Sequence, residues 1–519
     1  MSLARNVATV GGITFLSRIL GFSRDVMIAA VFGAGNRADA FFVAFQFANL
    51  IRRLLAEGGL NAAIVPLYLR SRDQGGEAAA GAYAGQLIGT LAIGLTGIAL
   101  LLVLAMPVVV TIMAPGFYFN GPRMTIAVEL ARLMLPYLAV AGPLAVLMGV
   151  LNANHRFAFA ALATAAFNAT MLTALGLIFL LQSGDSELSG RIVAVSVALA
   201  GVAQLVLVGV GIWIGPERVT PFSASFGAPM RRFLALAVPG LVASGIPQIT
   251  IIAAVMVASE SRSAVSWLYY ANRLIELPLG IVGVAIGTVL VPAFAHALRS
   301  GDKAELVAAE SRGLEMASFL GLPAAIALAV MAHPIVAVLF ERGAFTAADT
   351  AATAAALSAL AIGIPGHVLA KAFSSAFFAR EDTATPMYAA LAGFAFALVG
   401  SLLLMPGFGH VGVALATGVS GWVAAGVLGV IIARRIGFSL DKGARHRLPR
   451  IVFAAAVMGG AIAALQTALA PWLDGSSGAQ RLIALASLVW AGLAVYVGLL
   501  HFLGVARLRD LLRATRRVA

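Results

Sequence analysis

Arg18, Arg24, Arg52, Arg53, Arg132, Arg273 and Lys371 stand inside long apolar stretches of the chain. A cation in hydrocarbon costs several kcal/mol unless it meets water, a counter-charge or a ligand, so charge in that setting marks a candidate functional site. The spacing of these residues is ordered. Arg18 and Asp25 lie seven residues apart and project from nearly one face of a helix, with Arg24 turned away by about a third of a turn. Arg53 and Glu57 are one turn apart, while Arg52 points to an adjacent face and is left free for a ligand. Arg273 and Glu276 are spaced to pair locally, Glu129 and Arg132 read as a structural pair, and Lys371 lies near His367. In the three segments richest in charge, Arg18, Arg24, Arg52, Arg53 and Arg273 outnumber Asp25, Glu57 and Glu276. Any one arginine can be read as a salt bridge or as a side chain snorkelling from a helix end. The surplus of the set asks for an anion, and the planar guanidinium fork suits phosphate oxygens, so a pyrophosphate group fits.

The elements that must position these residues are membrane helices. Of 519 residues, 61% are hydrophobic and 11% charged, and mean hydropathy is +0.98. That is too apolar for an ordinary water-soluble domain, so lipid is the solvent for most of the chain. A net charge of +13 does not point to nucleic acid, because the charges punctuate apolar runs instead of covering a polar surface. The absence of cysteine excludes disulfides and thiolate chemistry. The first apolar run carries Arg18, Arg24 and Asp25 and reads as a retained helix, not a cleaved signal.

A spanning helix needs roughly 20 apolar residues. The runs predict an all-α, polytopic membrane protein of about fourteen helices, near 8–34, 38–69, 78–113, 123–152, 157–182, 190–214, 231–258, 264–298, 305–340, 347–379, 383–405, 410–435, 449–470 and 480–503. Pro136, Pro143, Pro239, Pro247, Pro278, Pro292 and Pro365 fall inside these runs, where they permit kinks. Residues 28–49 (IAAVFGAGNRADAFFVAFQFAN) resemble 252–272 (IAAVMVASESRSAVSWLYYAN) at an offset of about 224. Six helices separate the copies, which predicts two parallel six-helix lobes with a site where they meet. The expected divisions are 1–215, 216–440 and a C-terminal pair of helices with a basic tail, 441–519. Alternate loops hold most of the arginine and lysine, against Arg37, Arg123, Arg191, Arg262, Arg342 and Arg481 on the other side. The asymmetry places both termini in the cytoplasm.

Four motifs carry a family resemblance: SRILGFSRD at 17–25, ADAFFVAFQFANLIRRLLAEGGLNAAIVPLY at 38–68, YYANRLIELPLGIVGVAIGTVLVPAF at 269–294 and FFAREDTATP at 377–386. With them the chain resembles the MurJ (MviN) family of lipid II flippases, in the superfamily that also contains multidrug and toxic-compound exporters and polysaccharide flippases. The resemblance implies a multi-pass protein of the bacterial cytoplasmic membrane with a central cationic cavity. It would carry undecaprenyl-pyrophosphate-linked peptidoglycan precursor outward by alternating access, in cell-wall biogenesis. The family's cavity arginines match Arg18, Arg24, Arg52 and Arg273. Asp39, Glu57 and Glu276 match acidic positions suited to gating or to positioning arginines, with Ser17, Asp25, Arg53 and Lys371 in support. Some members resemble sodium-coupled transporters with a carboxylate in the seventh helix, but PGLVASGIPQITIIAAVMVA has none here. No cofactor is implied, and the membrane potential or a monovalent cation is left as the driving coupling.

An exporter of cationic drugs on the same fold would want an acidic cavity, the opposite sign to this one. A flippase for another polyprenyl-linked glycan would present the same arginines, and composition does not separate the two. A membrane enzyme would show paired carboxylates or a metal-ligand cluster, and neither HExxH nor the phosphate loop GxxxxGK[ST] occurs. The expected partners are therefore a lipid II-like glycolipid and the bilayer, with no nucleic acid.

Overall fold

A computed structural model describes residues 3–55, 60–119, 121–220, 223–435, 439–475 and 477–505, with the side chains at 3–8, 62, 239–240, 242–247 and 284 outside the description. Every regular element among the described residues is a helix. The backbone satisfies itself within each helix, as a chain in lipid requires. Contacts divide the protein into two compact units.

Unit one comprises residues 1–266 together with Arg342–Phe345. It holds α1 (Leu3–Phe32), α2 (Asn36–Leu55), α3 (Asn61–Met113), α4 (Gly121–Met134), α5 (Pro136–Ala153), α6 (Phe157–Leu180), α7 (Glu187–Trp213) and α8 (Ala228–Ala258). The first residues of α9 (Ala264–Ser300) also belong to it. A core of Ile64, Tyr68, Leu87, Leu144, Leu151, Val208 and Phe233 joins α3, α5, α7 and α8. Polar ties cross it where a helix carries an amide: Tyr137 Oη donates to Gln204 Oε1 at 3.1 Å, and Gln204 Nε2 donates to the Ala163 carbonyl at 3.0 Å. Leu100, Leu101, Leu104, Val108 and Ile112 stand exposed along α3, an apolar exterior of the kind that faces lipid.

Unit two comprises 267–341 and 346–519. After the rest of α9 come α10 (Lys303–Val330), α11 (Ala332–Phe340), α12 (Ala347–Ala361), α13 (Ile364–Phe378), α14 (Ala384–Arg435), α15 (Lys442–Ala468), α16 (Ala470–Leu473) and α17 (Gly478–Phe502). Met331, Ile451, Met458, Leu488 and Tyr496 form the core that binds α15 and α17 to α10 and α11. The basic start of α15 is strapped to α10 by Asp441 N donating to Ser311 Oγ at 3.0 Å and Arg447 Nε donating to Glu315 Oε1 at 2.8 Å.

Ten stretches are long and apolar enough to cross a membrane by length and composition, and the protein is a multi-pass membrane protein. α1 and α2 fall outside that set, because each interrupts its apolar run with arginines. Pro136 and Pro365 act as kinks: Leu135, and Ile362 with Gly363, keep right-handed helical angles, so α4 with α5 (Gly121–Ala153) and α12 with α13 (Ala347–Phe378) each form one candidate span bent near its proline. The expected 305–340 run breaks at Met331 into α10 and α11. The runs 383–405 and 410–435 stay two helices: within α14, Gly409 takes the non-helical angles φ 56° and ψ −143°, which glycine adopts without strain, and Gly76 interrupts α3 in the same way between the expected runs 38–69 and 78–113.

Small residues set how closely these helices approach. A Cβ on Gly201 would lie 2.7 Å from the Tyr137 ring, whereas one on Gly209, two turns along α7, would meet nothing. Gly201→Leu is expected to destabilise the protein by about 1–3 kcal/mol, and Gly209→Ala to leave it unchanged or slightly more stable. Thermal unfolding of the two variants in detergent measures the contrast, and equal melting temperatures would refute it.

Candidate functional site

The residues from the first motif gather on the face of α1 that packs against α6. Ser17 and Arg24 are two turns apart, and Asn168 of α6 bridges them: its Nδ2 donates to the Ser17 carbonyl at 3.1 Å and its Oδ1 accepts from Arg24 Nη1 at 2.9 Å. Arg24 Nε and Nη2 both donate to Asp25 Oδ1, at 3.0 and 2.7 Å. The guanidinium also lies 5.0 Å from the Phe45 ring centroid. Arg24 and Asp25 are buried, at 6% and 0% exposure. A paired, hydrogen-bonded charge can persist there, whereas removing one partner alone would strand the other.

Asp25 is therefore held by its chain neighbour and not by Arg18. Arg18 is exposed, with no hydrogen bond or ion pair among the described residues. About a third of a turn around α1 separates a locked arginine face from an open one.

Arg52 joins the cluster from α2. Its Nε and Nη2 share Asn49 Oδ1, at 3.0 and 2.7 Å, and its guanidinium lies 5.2 Å from the Phe167 ring. Arg52 is thus held by an amide one turn earlier, not left free as its spacing suggested. Phe167 and Asn168, adjacent on α6, serve Arg52 and Arg24 together. Arg53 Nη1 reaches Gln248 Oε1 on α8 at 3.3 Å. Glu57 lies outside the described residues.

Asp39 occupies a separate, wholly buried joint. Its carboxylate accepts from Ser263 N at 2.7 Å, Ser266 N at 3.0 Å and Ser266 Oγ, and Arg123 Nη1 stands 3.6 Å away. The first N–H groups of a helix lack intrahelical partners and carry partial positive charge, so a carboxylate at the start of α9 answers both needs. Asp39 and Ser263 are 224 residues apart, the offset at which the two repeated segments align. Arg123 donates further to the Ser259 and Ser261 carbonyls, each at 3.2 Å, and lies over Phe117. Beside this joint Ala344 N donates to Ala30 O at 2.9 Å, and Gly33 and Gly343, both at φ 59°, permit the close approach of the two turns.

In unit two, Arg273 Nη1 pairs with Glu276 Oε2 at 2.9 Å, as their spacing predicts. Lys371 on α13 is exposed and has no ion pair among the described residues. Its side chain lies over Gly283 of α9, where any Cβ would collide with the ammonium. The predicted Glu129–Arg132 pair does not form. Glu129 instead meets Arg191 across from α7, where a second carboxylate, Glu187, completes a triad, and Arg132 Nε donates to the Val103 carbonyl at 2.9 Å.

Sequence reasoning missed Asn168, Asn49, Phe45 and Phe167, and it placed Arg123 in an outer loop although it is 3% exposed. Asn168 carried a usable signal: one amide in the otherwise apolar 157–180 run must find a partner. The aromatic rings carried none, since phenylalanine is ordinary in such helices. No group of three or more potential metal-ligating side chains gathers among the described residues.

Residues 28–480 match the family model described as "Lipid II flippase MurJ". The chain is 38% identical over its whole length to a probable lipid II flippase MurJ of Rhizobium meliloti (strain 1021), covering 97% of that protein. It is 31% identical to the lipid II flippase MurJ of Burkholderia cenocepacia, over 89% of each. Among solved structures, a lipid II flippase MurJ in an inward closed conformation superposes with TM-score 0.79 at 22% identity, over 97% of this chain and 99% of that one. An inward-facing multidrug transporter of the MATE family superposes with TM-score 0.66 at 15% identity, over 86% and 98%.

The Asp39 joint yields a quantitative expectation. Asp39→Ala should cost about 3–5 kcal/mol because it leaves Arg123 charged and buried without its counter-ion, whereas Asp39→Ala with Arg123→Met should cost less than the single change. Denaturant or thermal unfolding of both variants decides, and a double variant at least as unstable as the single one would show that the ion pair is not the source of the cost.

Proposed function

The chain belongs to the lipid II flippase MurJ family, and on that premise we propose that it carries an undecaprenyl-pyrophosphate-linked peptidoglycan precursor from the cytoplasmic to the outer leaflet by alternating access. Family membership along nearly the whole chain is the observation that carries this reading. A flippase is a transporter and not a catalyst.

The pyrophosphate is held by Arg18, Arg24, Arg52 and Arg273. What supports this is the way the first unit holds its arginines. Arg24 spends three of its five N–H donors on Asp25 and Asn168, leaving two. Arg52 turns its Nε and Nη2 onto the neutral amide of Asn49, which orients the fork. Arg18 carries its full charge into the open. Asp25 pairs with Arg24, and guanidinium groups gathered on α1 and α2 have the planar fork that suits a phosphate ligand. Lys371 adds an unpaired cation to the second unit, where Glu276 answers Arg273. Ser17 and Asp25 position Arg24, and Asp39 secures the helix ends.

The lobes are residues 1–215 and 216–440, with 441–519 appended, and both termini lie in the cytoplasm. Of the six basic residues assigned to the outer side, Arg37, Arg123, Arg191 and Arg481 are ion-paired to Asp185, Asp39, Glu129 and Glu341. Their pairing supports the orientation, since basic charge on that side is largely answered by carboxylates. Direction requires a bias between states, because equal affinity in both shifts nothing. The membrane potential, worth about 2.3 kcal/mol per charge per 100 mV, or a monovalent cation supplies it.

In proteoliposomes loaded with lipid II, Arg18→Ala, Arg52→Ala and Arg273→Ala are each expected to slow translocation at least about tenfold, the loss of one charge-assisted hydrogen bond. Arg132→Ala, on the exterior, should retain the wild-type rate. Depletion in the native host, with rescue by wild type but not by the three variants, should remove and restore precursor at the outer leaflet. Unchanged exposure on depletion would end the cell-wall assignment, and full activity of all three variants would end the arginine clamp while leaving the function.

A further inference from the structure

Unit two contains a cavity of about 390 Å³ between α10–α11 and α15–α16, distant in sequence from every motif discussed above. Its walls are apolar, with Val330, Val338, Ala463 and Leu473 among them, but four polar side chains also line it: His333, Gln466, Asp474 and Thr467, the last of which donates its hydroxyl to the Ala464 carbonyl at 2.7 Å. Gln466 Oε1 is buried and has no hydrogen-bond partner. A buried carbonyl left unanswered is destabilising, so its persistence at the wall of a cavity calls for a donor from outside the chain. The Asp474 carboxylate and the His333 ring have no side-chain partner among the described residues either.

The polar set is complementary to a cation with N–H bonds. A carboxylate and an amide oxygen only accept, and a neutral imidazole offers one further acceptor nitrogen. The turn that carries Asp474 is pinned, with Asp474 N donating to Ala470 O at 2.9 Å and Arg481 Nε donating to Gly475 O at 2.7 Å, so the acceptors are held in place before any ligand arrives. The surroundings fix the ligand's second property. Trp472, 47% exposed, stands on the same short helix, where an amphipathic ring marks the boundary between hydrocarbon and headgroups. The first turns of α17, which follow the Asp474 turn in the chain, leave Leu482 and Ile483 exposed. A cavity with apolar walls and acceptors at that boundary fits an amphiphile whose head is a primary ammonium.

We infer that this cavity is a binding site for a phospholipid with a primary-amine headgroup, of the phosphatidylethanolamine type, seated against the C-terminal helices. The ammonium donates to Gln466 Oε1 and Asp474, and the apolar walls take the adjoining carbon chain. A choline headgroup has the same charge but no N–H, so it satisfies neither acceptor. A glycerol headgroup has donors but brings no cation to Asp474.

The full-length protein, reconstituted in nanodiscs with equal amounts of phosphatidylethanolamine, phosphatidylcholine and phosphatidylglycerol, is extracted into mild detergent, and the lipid that stays bound is identified by native mass spectrometry. Retention of the amine lipid over the choline lipid by about tenfold is expected, the worth of one charge-assisted hydrogen bond. Asp474→Asn and Gln466→Met should each bring the ratio close to one. Asp474 is on an exposed turn, so that variant decides alone if Gln466→Met fails to fold. Equal retention of the three lipids by the wild type, or an undiminished preference in Asp474→Asn, would overturn the inference.

Discussion

Charge in a low-dielectric setting has to be answered locally, and the described architecture is organised around the places where it is. The apolar helices need no partner beyond one another and lipid, and they pack through small residues such as Gly201 against Tyr137. The charged residues cannot be treated so loosely. Asp39 is wholly buried, and its burial is tolerable because two backbone N–H groups, a hydroxyl and Arg123 all converge on it. That convergence fixes where α2, α4 and the turn before α9 meet, so one carboxylate sets the registry of three chain segments. Arg24 obeys the same rule in reverse, with Asp25, Asn168 and the Phe45 ring surrounding a buried cation.

Much of this was legible in the sequence because lipid imposes a simple code. Long apolar runs had to be helices, and the arginines within them had to be special. Local pairs followed where one helix carried both partners, as with Arg273 and Glu276. The same logic failed where the partner came from another helix: Glu129 chose Arg191 over Arg132, and Asp25 chose Arg24 over the better-facing Arg18. Helix spacing ranks neighbours on one cylinder and says nothing of what the adjacent cylinder presents. On the α6 platform Phe167 was invisible for that reason, whereas Asn168, a lone amide in its run, announced a partner without saying which. Pro136 and Pro365 were legible as kinks because proline removes a backbone donor wherever it falls in an apolar run.

The choice of partners separates two kinds of arginine. Arg123, Arg191 and Arg481 meet carboxylates, which cancel their charge and make them structural. Arg52 meets Asn49, and Arg24 divides its donors between Asp25 and Asn168. An amide oxygen orients a guanidinium about as well as a carboxylate oxygen does and adds no charge of its own. Orientation set beforehand lowers the cost of ordering a long side chain when an anion arrives, and that cost would otherwise be charged against binding.

Arg18 is the complement to this arrangement. With no partner among the described residues it keeps its rotamer freedom and its full field, properties suited to first contact with an anion and not to holding one rigidly. If these arginines hold the cargo's phosphates as proposed, held and unheld side chains return different binding energies in each conformation. An arginine locked by Asp25 and Asn168 presents the same donors only while α1 and α6 keep their contact, whereas Arg18 depends on no such contact. Affinity that varies with helix packing is the differential a two-state transporter needs, since a site equally strong in both states would bind its cargo and move nothing.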